Sequence, residues 1–361
     1  MASGSHSLRE KKTHMKPDAN ESFIDFLRRY GKRFPPSFGF QPGRDVRQWQ
    51  TMFTRMLAGL RSTLPERTAL QVQVLEECPQ PDHTRILIRY AVTAFTQVHA
   101  YLLIPTGLHE NEKRPAIIVL HGHDKNGIDS VGGVTEPADA DQAARQYALW
   151  AVRAGYVVLT PAWWGWAGRD GHLPQVGARD RCNVIQMAAH MYGINVLDLH
   201  IQDGQAAVDV LRTRPEVDPD RIGCMGNSYG GRTAMWLTIF EPRIRACVSS
   251  GAMNTFRERS LKLGSCAIQY LPGLLKYGDV PDLYALIAPR PLQLQAGEHD
   301  QLITPQDRDR IAQTVQSAYS ELDAEMHFDY VLHPGGHLLV WELAEPFLCR
   351  HLEFHRGKRR E

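Results

Sequence analysis

The sequence predicts an α/β fold: a doubly wound, mostly parallel sheet with antiparallel strands at its N-terminal side and a helical extension ahead of them. Three observations carry this. Continuous apolar runs, with Ala116-Ile-Ile-Val-Leu120 the clearest, are what strands buried on both faces of a parallel sheet look like. Segments of helical period alternate with those runs through the rest of the chain. Finally, Gly226-Asn-Ser-Tyr-Gly230 stands between an apolar strand and a helix. That G-x-S-x-G junction holds a serine on a sharp turn with its hydroxyl projecting from the sheet.

The elements follow in order. Residues 21–62 are helical, with Phe23, Phe26 and Leu27, then Trp49, Phe53, Met56 and Leu60 at helix spacing. Between the two helices, the Pro-, Gly- and aromatic-rich stretch from Arg33 to Gly43 reads as a loop whose aromatics pack rather than bind ligand. Strands are expected at 70–75, 84–92 and 97–104, where Ile86, Ile88 and Tyr90, then Val98, Ala100 and Leu102, alternate with polar residues. That period of two marks antiparallel strands with one face covered. The buried strand 116–120 comes next, then a helix over 140–154 and a second buried strand over 156–160. Leu197, Ile201, Gly204, Val208 and Leu211 line one face of a helix. Asp218-Pro-Asp220 turns the chain into strand 221–225 and the serine turn. Beyond it lie strand 246–249, an irregular insert over 252–282, strand 291–295, a helix over 305–320, strand 328–332 and a closing helix over 341–354.

At 361 residues, 43% hydrophobic and 22% charged, the composition is that of a globular protein. A net charge of +1 argues against nucleic acid as a partner. Residues 1–20 are polar, with Arg9, Lys11 and Lys12 but no apolar stretch after them, and read as a disordered leader rather than a secretory signal. No run approaches the ~18 apolar residues of a membrane helix. The partition expected is a leader (1–20), a helical extension (21–68), the α/β domain (69–356) and a basic tail (357–361). The six cysteines, Cys78, Cys182, Cys224, Cys247, Cys266 and Cys349, form no CxxC pair and read as reduced thiols of a cytoplasmic enzyme.

A serine hydroxyl needs a base to take its proton, and the base needs an acid to fix its tautomer. With serine on the turn after one strand, the acid and the histidine are sought, in that order, on loops after later strands. Strand 291–295 leads into Ala-Gly-Glu298-His-Asp300, and strand 328–332 into His333-Pro-Gly-Gly-His337. Asp300 is assigned as acid and His337 as base. Glu298 and His333 are the alternatives, but both stand closer to a strand end, and Gly335-Gly336 frees the loop bearing His337. The oxyanion requires two backbone donors: the amide of Tyr229, directly after the serine, and that of His123, in the loop His121-Gly-His-Asp124 after strand 116–120. His121-x-His123 also suggests half of a metal site, but Lys125 and Asn126 break the dinuclear H-x-H-x-D-H pattern, and no metal is expected. Trp163, Trp164 and Trp166, after strand 156–160, are candidates for the substrate pocket as well as for packing.

With these residues placed, the chain resembles the α/β-hydrolase superfamily, and within it the dienelactone-hydrolase-like and acetyl-xylan-esterase-like branch. The resemblance runs from about Gln71 to Phe354. It rests on His121-Gly122, the run Arg214 to Gly223, the serine turn, the segment Leu274 to Asp282, Ala288-Pro-Arg-Pro291, and the Asp300 and His337 loops. It implies a serine hydrolase that needs no cofactor. Dienelactone hydrolases carry a cysteine nucleophile where Ser228 stands, which moves the reading toward ester hydrolysis. The serine turn is also similar to that of prolyl-oligopeptidase-type peptidases, but the roughly 70 residues ahead of the first strand cannot build their propeller. The expected function is hydrolysis of a small, acetyl-type carboxylic ester through an acyl-enzyme. Peptidase, amidase, thioesterase and acyltransferase variants share the machinery, and a non-catalytic binding protein is the contrasting class.

Overall fold

The computed structural model describes residues 22–169, 181–262 and 265–354. The expected leader and basic tail lie outside them. The chain divides at Pro35/Pro36 into two compact units. In the first, helix α1 (Phe23–Arg33) is capped by Ser22, whose Oγ accepts from the amide of Asp25. Phe23, Phe26, Tyr30 and Phe34 form a continuous row of rings along it, and none of its side chains is buried.

The second unit holds a nine-stranded sheet. Its strands are β1 (Val72–Pro79), β2 (His83–Thr93), β3 (Thr96–Pro105), β4 (Arg114–Leu120), β5 (Val157–Pro161), β6 (Val217–Asn227), β7 (Ile244–Ser250), β8 (Leu292–Gly297) and β9 (Phe328–His333), in the order β1-β2-β3-β5-β4-β6-β7-β8-β9. β1, β2 and β3 run antiparallel, as does β3 against β5; from β5 to β9 every pairing is parallel. The helices are α2 (Val46–Leu60), α3 (Ile128–Val131), α4 (Ala140–Ala143), α5 (Tyr147–Arg153), α6 (Arg181–His190), α7 (Val196–Arg212), α8 (Tyr229–Phe240), α9 (Phe256–Lys262), α10 (Val280–Ala285), α11 (Pro305–Ser320) and α12 (Trp341–His351).

The pleat sorts the core into two layers. Ala116, Ile118 and Leu120 of β4 face a core shared with α2, α7, α8, α10 and α11, whereas Ile117 and Val119 face α5 and α12. A strand covered on both sides gains nothing from polar alternation, so β4 and β5 read as unbroken apolar runs. The doubly wound fold is therefore the one its sequence pattern predicts.

α2 belongs to this unit. Trp49, Phe53 and Leu57 are buried, Phe38 stacks on Phe53 at 5.9 Å, and Trp49 Nε1 donates to the carbonyl of Phe38. Arg61, just past its end, pairs with the buried Asp198 of α7 at 2.7 Å. The loop aromatics Phe38 and Phe40 thus pack against the core.

Asp218-Pro-Asp220, expected as a turn, lies within β6, the insert expected to be irregular over 252–282 carries α9 and the start of α10, and two further elements differ from expectation. The helix expected over 140–154 is broken into α4 and α5, because Arg145 turns away to pair with Asp124 and Gln146 Nε2 donates to the carbonyl of Thr135. The first strand extends from Val72 to Pro79 rather than over 70–75, since pairing with β2 continues to the turn at Pro79↔Thr84. It is an exposed edge, with no buried face to mark its ends in the sequence. Among the described residues no helix is long and apolar enough to cross a membrane.

Phe53→Ala should lower the unfolding free energy in urea by ~3–5 kcal/mol. Phe26→Ala, on a helix with no buried side chain, should stay within ~0.5 kcal/mol. Equal losses would contradict the different packing of α1 and α2.

Candidate active site

The parallel strands all end on one side of the sheet, and the expected site residues lie on the loops at those ends. β6 is in register with both neighbours, Leu120↔Gly226 on one side and Asn227↔Ser250 on the other. The amide of Ser228 continues that ladder by donating to the carbonyl of Ser250 at 2.8 Å. Ser228 itself adopts φ 61° and ψ −119°, a backbone region that L-residues avoid. The turn must be this tight because α8 begins at once, hard against β4. A Cβ on Gly230 would lie 1.9 Å from the carbonyl oxygen of Leu120.

Asp300 and His337 are brought together. His337 Nδ1 donates to Asp300 Oδ2 at 2.7 Å, and Asp300 Oδ1 accepts from the amide of Leu302. The Asp300 side chain is wholly buried and that of His337 partly so. With Nδ1 engaged as donor, the lone pair of a neutral ring is left on Nε2. That Nε2 is buried and has no hydrogen-bond partner among the described residues. The loop is pinned on both sides: Asn227 Nδ2 donates to the carbonyl of His337, Ser250 Oγ to that of Leu338, and the amide of Val340 donates to Gln295 Oε1. Gly251 makes room for the ring, since a Cβ there would lie 3.0 Å from His337 Cε1. Of the alternatives, Glu298 is exposed, and His333 is buried with its Nδ1 accepting from the amide of Gly335.

Ser228 lies between two cavities. One, of about 580 Å³, is lined by Ser228, Tyr229, His123, Arg232, Asn254 and Arg259 among others. The smaller, about 120 Å³, joins Ser228 to His337, His123 and Asn227. The β4 loop passes close to the serine, because a Cβ on Gly122 would lie 3.6 Å from that of Ser228.

The profile of the dienelactone hydrolase family matches residues 98–333, well over half of the chain. The chain belongs to the dienelactone hydrolase family. It is also 25% identical over 293 residues to a Bacillus subtilis (strain 168) protein named "Putative hydrolase YtaP", covering 78% of this chain and 92% of that one. Among solved structures, a putative acetyl xylan esterase from Bacteroides fragilis NCTC 9343 superposes with a TM-score of 0.75 at 16% identity, over 95% of this chain and 97% of the other. A glucuronoyl esterase from Solibacter usitatus gives 0.62 at 16% identity, over 90% and 98%. These two likenesses establish the fold.

In this member of the family the tryptophan loop is mainly packing. Trp163 is fully buried, and its amide donates to His121 Nε2 at 3.2 Å. His121 therefore carries its proton on Nδ1, which donates to the carbonyl of Gly122. Burial draws its pKa down to about 4, so the ring is neutral and both nitrogens are engaged. The amide of Trp164 donates to His200 Nε2, and its ring lies under the Arg169 guanidinium at 4.2 Å. Arg169 in turn pairs with Asp203 at 2.8 Å, both side chains buried. Trp163 and Trp164, considered for the pocket wall, make these packing contacts. Trp166 stands in a cavity wall with His123 and Cys182.

Sequence reasoning missed Arg232. Its Nη2 donates to the carbonyl and Oδ1 of Asn254, its guanidinium lies 4.6 Å from the centre of the Phe256 ring, and Nη1 is buried without a partner among the described residues. Burial pulls its pKa down to about 10, which leaves it a cation at neutral pH. The signal was available, for Arg232 stands four residues after Ser228, one helical turn on, in an otherwise apolar helix.

Gly230→Ala should lower the unfolding free energy by ~3 kcal/mol or more, because the methyl group would meet backbone on β4. Gly336→Ala, with open space around residue 336, is the control and should cost under ~1 kcal/mol. Urea denaturation of the two variants checks this, and a neutral Gly230→Ala would refute the packing at the turn.

Proposed function

We propose that the protein is a serine esterase that cleaves a small carboxylic ester through an acyl-enzyme. The observation that carries this reading is the Asp300–His337 hydrogen bond, which leaves His337 Nε2 without a partner among the described residues, in a cavity wall shared with the strained Ser228. In this mechanism Nε2 takes the proton of Ser228 Oγ as that oxygen attacks the ester carbonyl. Asp300 holds the ring in the required tautomer and stabilises the imidazolium. The amides of Tyr229 and His123 stabilise the oxyanion. Collapse of the tetrahedral intermediate passes the proton to the departing alcohol. Water then repeats the sequence on the acyl-enzyme and releases the acid.

The lining of the larger cavity bears on the substrate. Arg232, Arg259, Asn183, Asn254 and Gln269 make it polar, which suits an oxygen-rich ester better than a long alkyl chain. The structural relatives named for acetyl xylan and glucuronoyl esters fit the same preference.

Hydrolysis of p-nitrophenyl esters from acetate to decanoate tests the proposal. Acetate should be cleaved fastest. Ser228→Ala and His337→Ala should each lower kcat by ~10⁴–10⁶-fold, and Asp300→Asn by ~10⁴-fold, with KM changed much less. Undiminished hydrolysis by Ser228→Ala would refute the assignment.

A further inference from the structure

The mechanism leaves the side chains of one chemically distinctive cluster unused. His123, Cys182 and Cys266 come from three separate stretches, the β4 loop, α6 and the insert. Their ligand-type atoms all lie within 4.8 Å of one another. His123 Nε2 is 3.1 Å from Cys182 Sγ, so the ring presents this nitrogen to the thiol. The two thiols are buried, whereas His123 is exposed and leaves a path from solvent. A side-chain bond helps hold the group together: the amide of Ala267 donates to Asn183 Oδ1 at 2.8 Å, tying the residue after Cys266 to the residue after Cys182. Trp166 and Tyr229 flank the imidazole with ring centres 5.3 and 6.4 Å away.

We propose that His123 Nε2, Cys182 Sγ and Cys266 Sγ form a binding site for a soft divalent cation of the Zn²⁺ class. Two thiolates and an imidazole select such an ion over Mg²⁺ or Ca²⁺, which take oxygen ligands. A tetrahedral ion with Zn–S of ~2.3 Å and Zn–N of ~2.0–2.1 Å needs donor atoms roughly 3.5–3.8 Å apart. The cluster meets this with shifts of a few tenths of an ångström to about one. Binding displaces the thiol protons to solvent. His123 and Cys266 both line the cavity that Ser228 lines, so the cluster borders that cavity. If the amide of His123 is the oxyanion donor proposed above, an ion on its ring couples metal occupancy to hydrolysis. That consequence rests on the esterase reading, whereas binding itself does not.

The test is a Co²⁺ titration of the full-length protein, reduced and metal-free, followed by displacement with Zn²⁺. One equivalent should produce the thiolate-to-cobalt charge-transfer absorption and the intense visible bands of tetrahedral coordination. Both should vanish in Cys182→Ser and Cys266→Ser. His123→Ala, a change at an exposed position that should leave folding intact, should weaken Zn²⁺ binding by at least ~100-fold. Cys78→Ser, far from the cluster in sequence and on the edge strand, should match the wild type. Absence of a charge-transfer band, or its persistence in Cys182→Ser, overturns the proposal. So does a Cys182–Cys266 disulfide-linked peptide found by peptide mass mapping of the metal-free protein. These readouts require no hydrolysis, so their failure is distinct from failure of the esterase assignment.

Discussion

The contact between α8 and β4 is the constraint from which the site follows. With the carbonyl oxygen of Leu120 where a side chain of residue 230 would be, only glycine fits there. The turn between β6 and α8 has no slack, and Ser228 takes up the strain at positive φ. The same closeness brings the β4 loop, with Gly122 and His123, beside the serine. Parallel pairing then fixes the rest, because Asn227↔Ser250 and Gly297↔His333 bring the loops after β7, β8 and β9 alongside the turn. Catalytic-type geometry here is a property of strand register, with the loops trimmed to fit it.

That dependence explains why so much was legible from the sequence. Strands covered on both faces are continuous apolar runs, so β4 and β5 announced themselves. Glycine at a close backbone approach and serine between a strand and a helix are local signals, readable without knowing any partner. The expected Asp300 and His337 could be sought at strand ends because parallel topology sends every such loop to one side. The structure then joins the two at 2.7 Å.

What was not legible depended on contacts distant in sequence. Nothing near Trp163 or Trp164 indicates that His121 and His200 would bind their backbone amides, or that the Arg169–Asp203 pair would pack against this loop. The break between α4 and α5 depends on Asp124, in another loop. Cys182 and Cys266 lack the close spacing of a metal motif, and only the packing of α6 against the insert brings them to His123. Arg232 is the exception: a cation one turn beyond the serine in an apolar helix deserved a functional reading from sequence alone.

The most direct test of the central claim is covalent labelling with a fluorophosphonate followed by peptide mass mapping. The account predicts a single adduct, on Ser228, formed quickly by the wild type and abolished by prior unfolding or by His337→Ala. An unlabelled Ser228 in the folded protein, or labelling that is indifferent to His337, would contradict it.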